Sequence, residues 1–182
     1  MTHMRDMSTS KSAVPGLRAG LWSLDPARSR VSFRHPKFWG LVTVKGIFTQ
    51  VHGDGEVLLG GTGSGTLTIA AASIDTRNGK RDEHLRSADF FDTARHRSII
   101  FTTNQVTPRD DGDVDITGEL TILGVTRPLA FTARTSATSP DAITVTAEVI
   151  IDRADFGMTW DKFGIAKGPA AVRVAARFFQ RR

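Results

Sequence analysis

Apolar and polar residues alternate with a period of two along most of this chain, the pattern of a β-strand that buries one face and wets the other. Val31 and Phe33 alternate with Ser32 and Arg34, and Val42, Val44, Gly46 and Phe48 alternate with Thr43, Lys45 and Thr49. Leu67, Ile69 and Ala71 follow in the same manner. The later half is cleaner. Val114, Ile116, Gly118, Leu120 and Ile122 stand against Asp115, Thr117, Glu119 and Thr121, with every charge on one face. Leu129, Phe131 and Ala133 continue the pattern, as do Ile143, Val145, Ala147 and Val149, and Val172, Val174, Ala176 and Phe178 close it.

Turn-forming residues punctuate these runs at Gly53-Asp54-Gly55, Gly60 to Gly65, Asp110 to Asp113 and Ser139-Pro140-Asp141. Roughly eight strands result. Antiparallel strands that are dry on one side must hide that side by closing into a barrel or by packing as two sheets. Helical spacing is confined to Asn78 to Phe91, where Leu85, Ala88 and Phe91 recur at intervals of three; this predicts one or two helical turns capping the barrel. The first 20 residues are polar and mixed, and read as a disordered tail ahead of a single domain over 21–182. They contain no apolar stretch of a secretory leader, and no run is long enough to span a membrane, so a cytoplasmic location is expected.

Composition narrows the chemistry. With no cysteine, thiol catalysis, disulfides and Cys-ligated metals are excluded. The five histidines have no metal-ligand spacing, and neither a nucleophile elbow nor a phosphate-binding glycine loop occurs, so no metal and no cofactor is expected. The net charge of +5 is uneven: residues 1–161 hold 18 basic against 19 acidic residues, and six basic ones follow Asp161. That basic end would suit a transient contact with a membrane surface, although a solvated strand face with a frayed basic tail is the preferred explanation and nucleic acid is not expected as a partner. The eleven Phe and three Trp, without any Tyr, make a very apolar interior. Small inward positions (Gly46, Ala71, Gly118, Ala133, Ala147 and Ala176) predict unfilled space within it.

Three stretches together resemble a known family. Leu21-Trp22-Ser23-Leu24-Asp25 with Ser29 to Phe33, His35 and Val44 to Phe48 opens the match. Ser73-Ile74-Asp75-Thr76, Arg81 to Asp92 (RDEHLRSADFFD) and Ile100-Phe101 continue it. Gly118 to Pro128 (GELTILGVTRP) and Ile151 to Met158 (IDRADFGM) complete it. The chain from about Leu21 to Phe179 is thereby similar to the YceI-like family of polyisoprenoid-binding proteins. It departs from the family pattern at His96-Arg97-Ser98, a polar segment where a proline is usual.

The resemblance implies an all-β, eight-stranded, lipocalin-like antiparallel barrel whose lumen takes an isoprenoid tail, such as that of a quinone or a polyprenyl phosphate, and it implies a homodimer in many members. Alternation and resemblance agree on lumen-facing ligand contacts at Phe33, Phe48, Ile69, Phe101, Leu120, Ile122, Phe131, Val145 and Val149. Trp39, Phe90, Phe91, Phe156, Trp160 and Phe163 are expected near the mouth. The polar set Arg81, Asp82, His84, Arg86, Asp89, Arg153 and Asp155 has two readings: it ties the helix to the barrel, or it orients a polar head group. No catalytic residue is expected on the first view of the protein as a binder. The competing view is a hydrolase or isomerase using Arg81, Asp82, His84 and Asp89 on a lipid-like substrate.

Overall fold

A computed structural model describes residues 17–37, 40–161 and 168–182. Strands β1 (Gly20–Leu24) and β2 (Arg30–Lys37) form one ascending path, broken by a 3-10 turn over Pro26–Arg28. Asp25 caps that turn by accepting the Ala27 N–H at 3.1 Å, and proline, which lacks an N–H to satisfy, begins it. Next come β3 (Val42–Phe48), β4 (Val51–Val57), β5 (Gly63–Ala70) and the short β6 (Ile74–Asp75). Helix α1 (Gly79–Arg86) leads into β7 (Ser98–Pro108), β8 (Val114–Ile122), β9 (Val125–Ser139), β10 (Ala142–Ile151) and β11 (Ala170–Gln180).

All pairings are antiparallel, and eight strands close a ring in the order β1-β4-β5-β7-β8-β9-β10-β11, with β11 returning to β1 from Trp22↔Gln180 to Leu24↔Phe178. Higher up, β2 takes over the same edge of β11 (Val31↔Val174), β3 pairs with β2, and β6 pairs with the end of β3. The break between β1 and β2 would leave β11 unpaired. Two groups fill it: the Asp25 N–H donates to the Arg177 carbonyl at 2.8 Å, and the Ser29 hydroxyl accepts the Arg177 N–H at 2.9 Å. The bend between β3 and β4 is held likewise by Ser73, whose carbonyl and hydroxyl accept the Thr49 and Gln50 N–H groups.

The alternation read from the sequence places apolar side chains inward on every long strand, with one inversion. A bulge in β7 between Thr103 and Gln105 shifts the register, so Ile99, Phe101 and Thr103 face inward before it and Val106 after it. Three local expectations need correction. Gly53-Asp54-Gly55 lies inside β4, not in a turn. The helix stops at Arg86 with Ser87 as its C-cap, so Ala88 and Phe91 belong to the following turn. The tail does not extend to residue 20, because β1 starts at Gly20 and the Trp22 indole donates to the Arg18 carbonyl at 3.1 Å. No helix among the described residues is long and apolar enough to cross a membrane.

Two of the glycines expected to leave space are instead covered by aromatic rings. A Cβ on Gly46 would lie 2.6 Å from the Phe33 ring on the paired strand, and one on Gly118 would lie 2.7 Å from the Phe101 ring and 2.3 Å from the Thr102 carbonyl oxygen. The missing side chain is what lets each ring lie against its neighbouring strand. Gly118→Ala is therefore expected to cost about 1–3 kcal/mol despite adding a better strand former, since backbone blocks the new methyl. An unchanged urea midpoint would show that the strand can give way.

Candidate functional site

The barrel encloses a cavity of about 390 Å³ that runs from Trp22 and the β4–β5 hairpin at one end to α1 and the 3-10 turn over Arg153–Phe156 at the other. This lies within the roughly 300–1,000 Å³ of small-molecule sites. Its wall is almost wholly apolar, because period two delivers Phe33 from β2, Leu67 and Ile69 from β5, Leu120 and Ile122 from β8, and Val172 and Val174 from β11. Many of these large side chains are only half-buried although they point to the centre, Phe33, Phe101, Phe131, Val145 and Phe178 among them. They face a void instead of packing across it. Rings pair along the wall, Phe33 with Phe48 at 5.8 Å and Phe101 with Phe131 at 5.5 Å between centroids.

Of the residues expected to meet a ligand, Phe33, Phe48, Ile69, Phe90, Phe91, Phe101, Leu120, Ile122, Phe131, Val145, Val149 and Phe156 line this cavity. Trp39 and Phe163 lie outside the described residues. Trp160 is not in the wall: it stacks edge-on with His84 at 4.7 Å and tilts against Phe90 at 5.1 Å, supporting the end cap from behind.

The polar set divides. Asp82 is 6 % exposed and accepts both the backbone N–H and the hydroxyl of Thr76, while the Arg81 guanidinium donates to the Thr76 hydroxyl and carbonyl at 2.7 and 2.9 Å. Arg86 donates to the Ala72 and Ile74 carbonyls, both at 2.8 Å. These bonds staple α1 to the segment that precedes it. His84 bonds Asp89 at 2.9 Å outside the cavity, and the Asp155 carbonyl accepts from Arg127 at 3.1 Å. Only Arg81 and Arg153 of the set reach the cavity wall. The four groups of the hydrolase reading therefore do not converge on the lumen.

Among the polar lining residues that escaped the sequence reading, His35 and Lys37 stand at the α1 end. The signal was present, since both continue the inward register of Val31 and Phe33. His35 is 9 % exposed and its Nε2 lies 3.0 Å from the Gly168 carbonyl, so that nitrogen carries the proton. Burial pushes its pKa below the usual 6.5, aided by Arg153 and Lys37 and opposed by the Gly168 bond and Asp152. Burial also lowers Lys37, with Arg81 and Arg153 adding repulsion. Arg153 is lowered by burial and partly compensated by Asp161 and Asp152, and its guanidinium sits 5.7 Å from the Phe90 ring centre. Three cations thus share one end of an apolar lumen.

Because the folded state disfavours protonated His35, the unfolded chain binds more protons as pH falls below about 6.5, and stability falls with it. The contribution is complete above that value and lost on passing through the lower folded-state pKa. Urea unfolding at pH 7.5 and pH 5 should show a smaller acid loss for His35→Gln than for the parent; parallel losses would contradict this assignment.

Comparison with known proteins agrees with this geometry. A family model described as the YceI-like domain matches residues 22–178. Protein YceI of Escherichia coli O17:K52:H18 is 47% identical over 68 residues, which is 37% of this chain and 35% of that protein. A UPF0312 protein of Pectobacterium carotovorum is 37% identical over 113 residues, 59% of this chain and 56% of its own length. These alignments cover about a third to a half of the curated relatives. Burkholderia cenocepacia BcnA superposes with a TM-score of 0.77 at 19% identity, covering 85% of this chain and 98% of BcnA. A structure described as a polyisoprenoid binding domain from Saccharophagus degradans, implicated in plant cell wall breakdown, gives a TM-score of 0.70 at 18% identity over 90% of this chain and all of that one. At such identities the superpositions speak for the fold, and the domain match across nearly the whole barrel places this chain in the YceI-like family.

Proposed function

We propose that this barrel binds one elongated apolar molecule of the polyisoprenoid class, with its tail in the lumen and its polar end at Lys37, Arg81 and Arg153, for transport, storage or sensing. The observation that carries this reading is the hollow, apolar centre, where large side chains from most strands stop short of one another. The Saccharophagus degradans domain of the same fold, described as polyisoprenoid binding, supports the choice of ligand class. Each methylene transferred from water contributes about 0.8 kcal/mol, so two five-carbon units contribute about 8 kcal/mol before the cost of association. Hydrogen bonds are unnecessary for affinity on this scale. A binder is also what the polar set supports, since Asp82 and Arg86 are consumed in holding α1 and His84 turns away from the lumen.

Organic extraction of the purified protein followed by mass spectrometry should release a long-chain isoprenoid, and delipidated protein should take up a detergent-dispersed polyprenol. Val145→Phe or Ala147→Phe fills the lumen from β10 and should weaken uptake at least tenfold without loss of the folded state. Uptake equal to that of the parent in both filled variants would refute the reading.

The cationic end makes a separate prediction about the head group. Lys37→Met should weaken binding of a polyprenyl phosphate by about tenfold or more, the worth of a charge-assisted contact, and leave polyprenol binding unchanged. Equal losses for both lipids would place the head group elsewhere.

A further inference from the structure

Beyond the cationic end of the lumen, the hairpin between β2 and β3 carries two apolar side chains into solvent. Leu41 is 84 % exposed and Val42 is 49 % exposed. Val42 is the register partner of Lys37 and continues the lumen-facing side of β3, so it stands level with Lys37 at the rim of the lumen. Lys45, two residues past Thr43, is exposed on the outer face of the same strand. Among the described residues neither Lys37 nor Lys45 has a carboxylate partner, and Arg81 spends its bonds on Thr76. Acids at this end are engaged elsewhere: Asp82 with Thr76, Asp89 with His84, Asp75 with the Arg77 N–H, and Asp152 with the Ala154 N–H, while Asp152 and Asp161 act on Arg153. An apolar tip flanked by uncompensated lysines is the arrangement that anchors a protein in the interface of an anionic bilayer.

The opposite end of the barrel supplies an internal contrast. Leu58 and Leu59 at the β4–β5 tip are 53 % and 92 % exposed, so exposure alone does not distinguish the two ends. Charge does. At that end Arg18 is paired with Asp141, Arg181 with Asp54, and Arg109 with Asp111 and Asp115; Arg182 is exposed there too, but Glu56, Asp110 and Asp113 leave acidic groups in excess. An anionic surface would repel it. Two side chains at a tip also fall far short of the roughly 1,200 Å² or more that stable protein partners bury.

We infer that the β2–β3 tip docks the barrel on an anionic phospholipid bilayer with the cationic end of the lumen facing the lipid. A membrane-borne ligand would then pass between bilayer and lumen without crossing water. That consequence rests on the proposed binding function; the docking itself does not.

Flotation of the full chain with vesicles of phosphatidylcholine, with and without one-third phosphatidylglycerol, tests it. The protein should be retained on the anionic vesicles and released by salt, as electrostatic attraction over a Debye length requires. Leu41→Ser combined with Val42→Ser should lower retention about tenfold, the Lys45→Gln change about fivefold, and Leu58→Ser with Leu59→Ser not at all. Both serine pairs are solvent-exposed, so thermal unfolding should be unchanged in each. Absence of retention of the parent, or loss in the Leu58/Leu59 variant with none in the Leu41/Val42 variant, would overturn the inference. Uptake of detergent-dispersed polyprenol by the Leu41/Val42 variant should equal that of the parent, so a failure of lumen binding is recognised separately from a failure of docking.

Discussion

Everything in this molecule depends on the seam where the chain's first strands meet its last. Neither β1 nor β2 alone is long enough to cover the edge of β11, and an uncovered edge would expose a row of backbone donors and acceptors beside an apolar interior. The chain solves this by dividing the edge. β1 takes one end, β2 the other, and Asp25 and Ser29 satisfy Arg177 in between. Closure removes both edges of the eight-stranded ring and keeps its dry faces from water.

A ring of eight strands also fixes the width of the interior. Inward side chains can touch their neighbours along the wall, as Phe33 and Phe48 do, yet those from opposite walls do not fill the centre. The glycines sharpen this result in an unexpected direction. Gly46 and Gly118 were natural candidates for empty space, but rings occupy the positions their side chains would have taken. The space lies beside other positions, where the small Ala147 and Ala176 and the medium-sized Val145 and Val174 stop short of the axis.

The two ends of the lumen differ because different elements close them. At one end, α1 is fastened through Thr76 and the Ala72 and Ile74 carbonyls, which consumes Asp82 and Arg86 and leaves the Arg81 guanidinium in the wall beside Lys37 and Arg153. Partial burial and mutual repulsion make this cluster unfavourable, and an anionic group placed among them would relieve the repulsion. The lumen is thus apolar along most of its wall and cationic at the end that α1 closes.

By itself the sequence determined what local physics determines. Alternation identified the strands and their inward faces, from Phe33 to Phe131, because side chains in a strand point to opposite sides whatever the strand packs against. It located the helix from Asn78, whose side chain caps α1 by accepting the Arg81 N–H at 3.1 Å, and its family motifs named the fold. Tertiary structure decided the rest. The bulge in β7, the fate of each polar residue and the gathering of Lys37, Arg81 and Arg153 depend on pairings between residues far apart in the chain. His35 and Lys37 illustrate the divide: their inward direction was legible in the register of β2, but their proximity to Arg153 arises only when the 3-10 turn after β10 is brought to the same end of the barrel.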